Sequence, residues 1–265
     1  MRLSKDNLKK IYEGKTKDVY QYRENEFLLH TKDETTGWWK TNDVGNQYFE
    51  EDPGGNEIGS AIAGMGQNNL IASEYYFKKF FETGIPTHYI GCDISENLML
   101  VKAGQIFGQG LEAIIRFYAM GSLLRRFPDK YIEGQSLVDY FETTLKSDAD
   151  NDPPITKEEL VKNGILTESQ YDQIKRICHN AAEIIQADLK EEDLTLVDIK
   201  FEIGLVEEKI VLIDEVSAGI MRVASGKVSA VNVLNEEQLA EVLVTRAKRA
   251  KIIDAMLANK DSCCF

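Results

Sequence analysis

At 265 residues the chain is long enough for one large domain or two lobes around a full core, and its 43% hydrophobic and 28% charged content is that of an ordinary folded protein. A net charge of −13 argues against general binding of nucleic-acid backbones, so any anionic ligand must be held by a local cluster of Lys and Arg. No stretch approaches the roughly 20 uninterrupted apolar residues of a membrane span, and the opening MRLSKDNLKK lacks the apolar centre of a secretory signal, so a cytoplasmic protein without a membrane partner is expected.

In chain order, Lys10 to Tyr20 reads as a strand, a turn at Gly14 and a second strand. Lys15 and Lys17 sit on that turn around Thr16, an arrangement that lays cations and backbone N–H groups along a triphosphate and that also occurs in hairpin turns as a solubility device. Phe27 to His30 forms the next strand. The stretch Glu34 to Gly66, rich in glycine and carrying Trp38 and Trp39, reads as a long irregular loop whose tryptophans either wall a pocket or staple the loop to the body. Asn68 to Phe81 has helical spacing and stops before Gly84. Two strands follow, Tyr89 to Cys92 and Asn97 to Lys102, the second ending in a lysine on a strongly apolar run that requires an anionic partner.

Gln105 to Gly110 is the candidate hinge, because strand-rich sequence gives way to helix-rich sequence there. Glu112 to Arg116 is a strand opening into Gly121 and Ser122, where small residues at a helix start near an arginine form a phosphate cradle, a simple N-cap by Ser122 being compatible with it. Val138 to Lys146 is a further strand. Thr156 and Thr167 open helices, the second running to about Lys190 with Ile174, Ile177, Ala181, Ile184, Ile185 and Leu189 on one face, and Glu236 to about Ala258 closes the chain as another helix. Cys92, Cys178, Cys263 and Cys264 show neither metal-ligand spacing nor a disulfide framework, and His30, His88 and His179 are scattered.

The richest stretch is Leu196 to Arg222. Val197, Ile199, Phe201 and Ile203 alternate with Asp198, Lys200 and Glu202, which gives a strand one apolar and one charged face. A polar turn and the run from Ile210 lead into Asp214 and Glu215, so the two segments form a hairpin. A loop of three or five residues sets Glu202 and Asp214 on one face, whereas a two-residue turn separates them, so an odd loop is expected. Two carboxylates beside a lysine suit Mg2+ against nucleotide phosphates, and the same alternation also suits a solvated strand face.

Six segments carry a resemblance to the SAICAR synthetases, ligases that join aspartate to carboxyaminoimidazole ribonucleotide with ATP: YEGKTKDVY at 12–20, GIPTHY at 84–89, EAIIRFYAMGS at 112–122, LKSDADNDPPIT at 145–156, VDIKFEIG at 197–204 and VLIDEVSAGIMR at 211–222. The resemblance implies an α+β fold in two lobes with antiparallel sheets, a small ATP-binding lobe at 1–106, a larger lobe at 107–265 and ATP in the cleft between them. It implies an acyl-phosphate route with ATP and Mg2+ as cofactors. A phosphorylated carboxylate and an amine are the implied partners, and homodimers are a further implied possibility. Lys15, Thr16, Lys17, Lys102 and Glu112 match its nucleotide residues, and Glu202 and Asp214 match its metal carboxylates. Asp198, Lys200 and Lys146 match its active-site strand and substrate-side lysine, and Arg116, Ser122, Ser217 and Arg222 match its substrate site.

The departures cluster. A longer segment replaces the short one after the second strand, Asn151 stands for a histidine, Met120 for a small residue, and Gly219 for an aspartate near the sugar. Residues matched to ATP, Mg2+ and the phosphate are kept, so an altered acid or amine, a small-molecule kinase and a nucleotide-binding module without turnover stand as alternatives to SAICAR synthesis.

Overall fold

The structure, a computed structural model, describes residues 1–52, 55, 57–147 and 152–261; Asn151 and the pair Cys263 and Cys264 lie outside them. The first sheet is antiparallel, in the order β1 (Lys9–Glu13), β2 (Lys17–Arg23), β3 (Glu26–Thr31), β8 (Leu98–Lys102), β7 (Tyr89–Asp93). In β8 every residue but the last is buried, because its two faces serve two cores. Met99 and Val101 join Tyr76, Phe77 and Phe80 of helix α1 (Met65–Glu82), whereas Leu98 and Leu100 pack with Leu3 and Leu28. Helix α1 begins at Met65, earlier than its apolar spacing indicates, because Asp33 accepts from the N–H groups of Gly64 at 3.1 Å and Gly66 at 2.9 Å. Lys102 does not need the buried anion expected for it. It ends β8 half exposed and pairs with Glu207 at 3.2 Å, because the last residue of the strand has already left the core.

The second sheet runs β11 (Pro154–Ile155), β10 (Ser136–Leu145), β9 (Gln105–Tyr118), β12 (Leu194–Val206), β13 (Lys209–Ile213), with β14 (Met221–Ser225) against the first half of β12. The expected hinge at Gln105 to Gly110 is instead the start of β9. Gln105 and Ile106 pair with Leu205 and Gly204, and Leu111 pairs with Ile203, so residues 107–110 loop out between two hydrogen-bonded flanks of the same strand. Ser122 is likewise not an N-cap. It is the first residue of the short α2 (Ser122–Arg126), preceded by Gly121 without a side-chain cap.

The glycine-rich segment read as a loop is a three-stranded sheet, β5 (Gln47–Glu51), β4 (Glu34–Thr41), β6 (Glu57–Ala61) in spatial order. Two of its glycines are strand residues, not turn residues: a Cβ at Gly37 would run into the Glu50 carbonyl, and one at Gly59 into the ring of Phe49. Trp39 packs edge-on against that ring at 5.3 Å between centroids.

Helices α3 (Lys157–Lys162) and α4 (Glu168–Lys190) start with capping boxes, Thr156 with Glu159 and Thr167 with Gln170. The apolar stripe of α4 lies across β12 and β9, and α1 lies against the closing helix α5 (Glu236–Asp261). One buried cluster runs from Leu29 and Phe77 through Ile115 and Phe201 to Leu243, so the two main sheets share a core.

Asp188 of α4 ties the three long helices together. It accepts from Tyr75 at 2.8 Å and Tyr76 at 3.3 Å of α1, lies 2.7 Å from Lys79, and accepts from Arg246 of α5 at 2.8 and 3.1 Å. Despite burial, Arg246, Lys79 and Tyr75 hold its carboxyl below the usual range. Asp188→Ala removes the acceptor shared by Tyr75, the buried Tyr76, Lys79 and Arg246, which keeps Glu191 and Glu192, and is expected to destabilise the fold by about 1–3 kcal/mol, measured by urea denaturation. A loss within experimental error would show that the helices are held by their apolar contacts alone.

Candidate active site

The charged face of β12 sits in the middle of the second sheet, and its neighbours across the ladder are charged as well. Asp198 faces Arg222 of β14 on one side and Arg116 of β9 on the other, and Glu202 faces Glu112, which in turn faces Thr144 of β10. Because side chains alternate with period two, these groups project together from one side of the sheet while Ile199, Phe201 and Ile203 enter the core on the other.

The hairpin turn overturns the expectation of an odd loop. Val206 pairs with Lys209, so the turn is the two residues Glu207 and Glu208, both at positive φ, and Glu202 faces Ile213 rather than Asp214. Strict alternation would send Asp214 to the opposite face. The strand instead ends at Ile213, and Asp214 takes a left-handed conformation, φ +68, that swings its side chain back beside Glu202. Two contacts hold it there: the His88 ring donates from Nε2 to the Asp214 carbonyl at 3.1 Å, and Lys17 Nζ lies 3.1 Å from Oδ2. Burial pushes His88 down to about 4, so the ring is neutral near pH 7.

Lys17 also donates to Glu215, which makes it the bridge between the first sheet and the second. Burial opposes its charge, but Asp214 and Glu215 outweigh that and hold the ammonium well above the usual lysine range. Lys146 lies 2.5 Å from Glu202 and is likewise raised against burial by Glu202 and Asp214. Burial and Asp214 push the Glu202 carboxyl up to about 7, whereas Lys17 and Lys146 hold Asp214 below its usual range. The turn that carries Lys17 is tight: a Cβ at Gly14 would meet the Lys17 carbonyl at 2.7 Å, and Lys32, a residue the motif did not single out, donates to the Gly14 carbonyl at 2.7 Å.

These residues line a cavity of about 520 Å3 between the two main sheets, with Tyr12, Gly14, Lys15, Thr16, Lys17 and Leu29 from the first and Glu112, Lys146, Lys200, Glu202 and Asp214 from the second. Lys200 donates to Glu112 at 2.8 Å, and Thr144 donates to the same carboxylate at 2.6 Å. Glu202 and Asp214 fit a Mg2+ ion in donor chemistry, since such an ion takes one or two carboxylates from protein and the rest from phosphate and water. Among the described residues no cluster of three or more His, Cys, Asp or Glu forms a self-sufficient metal cage.

Beside it, a second cavity of about 460 Å3 is lined by Trp38, Ser122, Arg125, Arg126, Glu142 and Lys200, among others. Arg116 does not face it as a free cation. It is 3% exposed and spends its donors on Asp198 (2.7 Å), Glu142 (2.7 and 2.9 Å), Ser122 (2.9 Å) and the Met120 carbonyl (3.4 Å). Burial with two carboxylates converts it from a ligand into a positioning group for Ser122 and Asp198. Arg222 donates to Asp198 at 2.8 and 3.0 Å and to Asp52, which follows β5 and also lies 3.9 Å from Arg125. Ser217 is buried and its hydroxyl accepts from the Gly219 N–H at 3.3 Å, so it closes a turn instead of meeting the cleft. Lys102 lies away from the cavity altogether.

Sequence reasoning missed Asp52, Asn69, Arg125, Arg126, Glu142 and Glu236. The arginines carry a signal, a doublet one turn after Ser122, but the others come from elements whose approach only folding creates. The Glu236 carboxyl is pushed up to about 7 by burial, against a hydrogen bond from Asn69, with Glu215 and Glu51 adding to the rise.

The SAICAR synthetase family profile matches residues 55–246. The phosphoribosylaminoimidazole-succinocarboxamide synthase of Clostridium tetani is 41% identical over 214 residues, which cover 80% of this chain and 90% of that protein. The corresponding protein of Pyrobaculum calidifontis is 32% identical, with 82% of each chain covered. In three dimensions the chain matches a SAICAR synthetase solved in complex with ADP at a TM-score of 0.72 and 26% identity, over 91% of this chain and 95% of that one. The Ehrlichia chaffeensis phosphoribosylaminoimidazole-succinocarboxamide synthase, 23% identical, shares the fold at a TM-score of 0.72 over 91% and 96% of the two chains.

The two raised glutamates fix a pH dependence. Folded Glu202 and Glu236 bind protons up to about pH 7, whereas an ordinary glutamate releases them near 4.5, so the folded state holds more protons and stability falls as pH rises through that interval. His88 works in the opposite sense only below its ordinary value of 6.5. The melting temperature of the protein is therefore expected to fall as pH rises from about 5 to about 7.5, most steeply above 6.5 where His88 no longer opposes it, and to level off beyond, with Glu202→Gln flattening the decline. A decline untouched by that substitution would contradict the assignment.

Proposed function

The chain belongs to the SAICAR synthetase family, and we propose that the cavity between its two sheets is where that family's reaction is carried out. The protein is an ATP-dependent carbon–nitrogen ligase, joining carboxyaminoimidazole ribonucleotide and aspartate with conversion of ATP to ADP and phosphate. In this reading residues 1–106 hold the nucleotide and residues 107–265 carry the metal and the organic substrates.

The observation that carries the assignment of residues is the Lys17 bridge to Asp214 and Glu215, a cation from one sheet set against carboxylates of the other inside the cavity. In the ligand-free protein Lys17 and Lys146 neutralise Asp214 and Glu202. Lys17 and Lys146 would pair with phosphate oxygens of a bound nucleotide, and Glu202 and Asp214 would hold Mg2+, which would supply charge neutralisation along the phosphates. Lys15 and Thr16 line the phosphate path on the same turn. Lys200, held by Glu112, is positioned to meet the substrate carboxylate, and Asp198 is oriented by Arg116 and Arg222. Phosphoryl transfer to that carboxylate gives an acyl phosphate that the amine attacks, so positioning and charge neutralisation are what the residues must supply, without a nucleophilic side chain.

Arg222, Ser122 and Arg125 form the grip on the substrate phosphate in this reading, with Asp52 as the carboxylate that the phosphate displaces from Arg222. The departures around Gly219 and the inserted sheet are then replacements within one activity. No helix of the described residues is long and apolar enough to cross a membrane. A cytoplasmic setting and assembly into homodimers complete the proposal, the latter to be read by light scattering.

The test is ATP-to-ADP turnover with Mg2+ and carboxyaminoimidazole ribonucleotide, with and without aspartate, and products identified by mass. A succinocarboxamide product is expected; ADP formation indifferent to the ribonucleotide would overturn the reading. Glu202→Gln and Asp214→Asn are each expected to lower turnover by at least about 100-fold with the fold intact by circular dichroism. Arg222→Ala is expected to raise KM for the ribonucleotide by about 10- to 100-fold with little change for ATP, and equal losses for both would remove Arg222 from the phosphate grip.

A further inference from the structure

Glu236 has no role in the reaction as described, yet it stands in the wall of the main cavity. It is the first residue of α5, and its side chain passes over Gly219, where an added Cβ would lie 2.9 Å from Oε1. Asn69 of α1 donates to that same oxygen at 3.0 Å. Asn69 is itself only 7% exposed, and its Oδ1 is a buried acceptor with no partner among the described residues. The Glu236 N–H donates to Glu51 at 3.2 Å, and Glu51 precedes Asp52. On its other side are Glu215 and Lys17.

This corner offers acceptors, the carboxyl groups of Glu236, Glu215 and Glu51 and the Asn69 Oδ1 that has no partner among the described residues, and Glu236 adds its negative charge as pH rises past about 7. Lys17 pairs with Glu215, and among the described residues no ion pair reaches Glu236. A ligand that answers such a corner brings several N–H donors and a positive charge. The corner also adjoins Lys17, where the phosphoryl group is transferred, so a group bound there lies next to the activated carboxylate. Of the reactants, the amine alone has to be cationic when it binds and close to that carbon when it reacts.

We propose that Glu236, with Asn69 behind it, is the receptor for the ammonium group of the amino-acid substrate. Gly219 is the space that admits it. The proposal deepens the ligase reading and rests on it. A glycine at 219 and a glutamate at 236 act as one device, because any side chain at 219 would push the carboxylate out of place.

The experiment measures KM separately for ATP, ribonucleotide and aspartate in Glu236→Ala and Glu236→Gln, with hydroxylamine as an alternative acceptor that is neutral at the pH of the assay. Loss of one charge-assisted contact is expected to raise KM for aspartate by about 10- to 100-fold and leave the other two unchanged. Hydroxamate formation should stay at the wild-type rate, since that acceptor brings no ammonium. Gly219→Ala, which displaces the carboxylate without removing it, should reproduce the aspartate effect in smaller measure. A rise in KM for the ribonucleotide or ATP instead, or hydroxamate formation falling in parallel with the aspartate reaction, would overturn the proposal. Absence of ribonucleotide-dependent ADP formation by the unaltered protein would instead overturn the ligase reading, and the inference with it.

Discussion

Lys17 is the constraint on which the arrangement of the site depends. It leaves the first sheet at the start of β2 and ends between Asp214 and Glu215, just beyond the last strand residue of the β12–β13 hairpin. A buried cation between two carboxylates is held firmly only when all three are placed by rigid elements, and each of these is. The Gly14 turn fixes the lysine, the His88 contact fixes the Asp214 carbonyl, and the Val216 N–H held by Ser73 anchors the chain directly after Glu215. Removing the lysine would leave two carboxylates facing Glu202 in a poorly solvated cleft. The same charges are the ones a metal and a triphosphate would meet.

A second consequence concerns arginine. Three arginines meet around Asp198 and Glu142, and they divide the work by burial. Arg116, sealed beneath the sheet face, has every donor committed and transmits order to Ser122, Asp198 and Glu142. Arg126 shares Glu142 with it at 2.6 Å. Arg222 is held by Asp198 from one side and closed by Asp52 from the other. Two carboxylates on opposite sides hold the planar guanidinium in one orientation.

The inserted sheet of β4, β5 and β6 is the part of the fold that reshapes the cleft. Gly55 and Ile58 line the main cavity, Trp38 and Lys40 line its neighbour, and Glu51 and Asp52 touch the helix start at Glu236 and the Arg222 guanidinium. Two of the departures from the usual family pattern, the longer segment after the second strand and Gly219, thus meet in space, both lying against Glu236.

The sequence by itself determined the elements whose signals are local. The alternation of Asp198, Lys200 and Glu202 with apolar residues, the capping boxes at Thr156 and Thr167, and the stripe of α4 are dictated by the period of the backbone and the chemistry of its ends. It also carried the family, because six short segments in order are specified residue by residue. What it left to the tertiary structure is everything that depends on approach between distant segments. Glycines at 37 and 59 signal turns in a one-dimensional reading and prove to be strand positions, since the group they make room for comes from another strand. A two-residue turn separates Glu202 from Asp214 by alternation, and one left-handed residue, held by His88 and Lys17 from the other sheet, brings them back together. Arg116, Ser217 and Lys102 carry the right chemistry for a site, but whether a polar group is presented to a ligand or spent on a neighbour is settled by burial and by which donors and acceptors surround it. The carboxylates that engage Arg116 and Lys102, Asp198, Glu142 and Glu207, lie tens of residues away along the chain and come within hydrogen-bond distance only after folding.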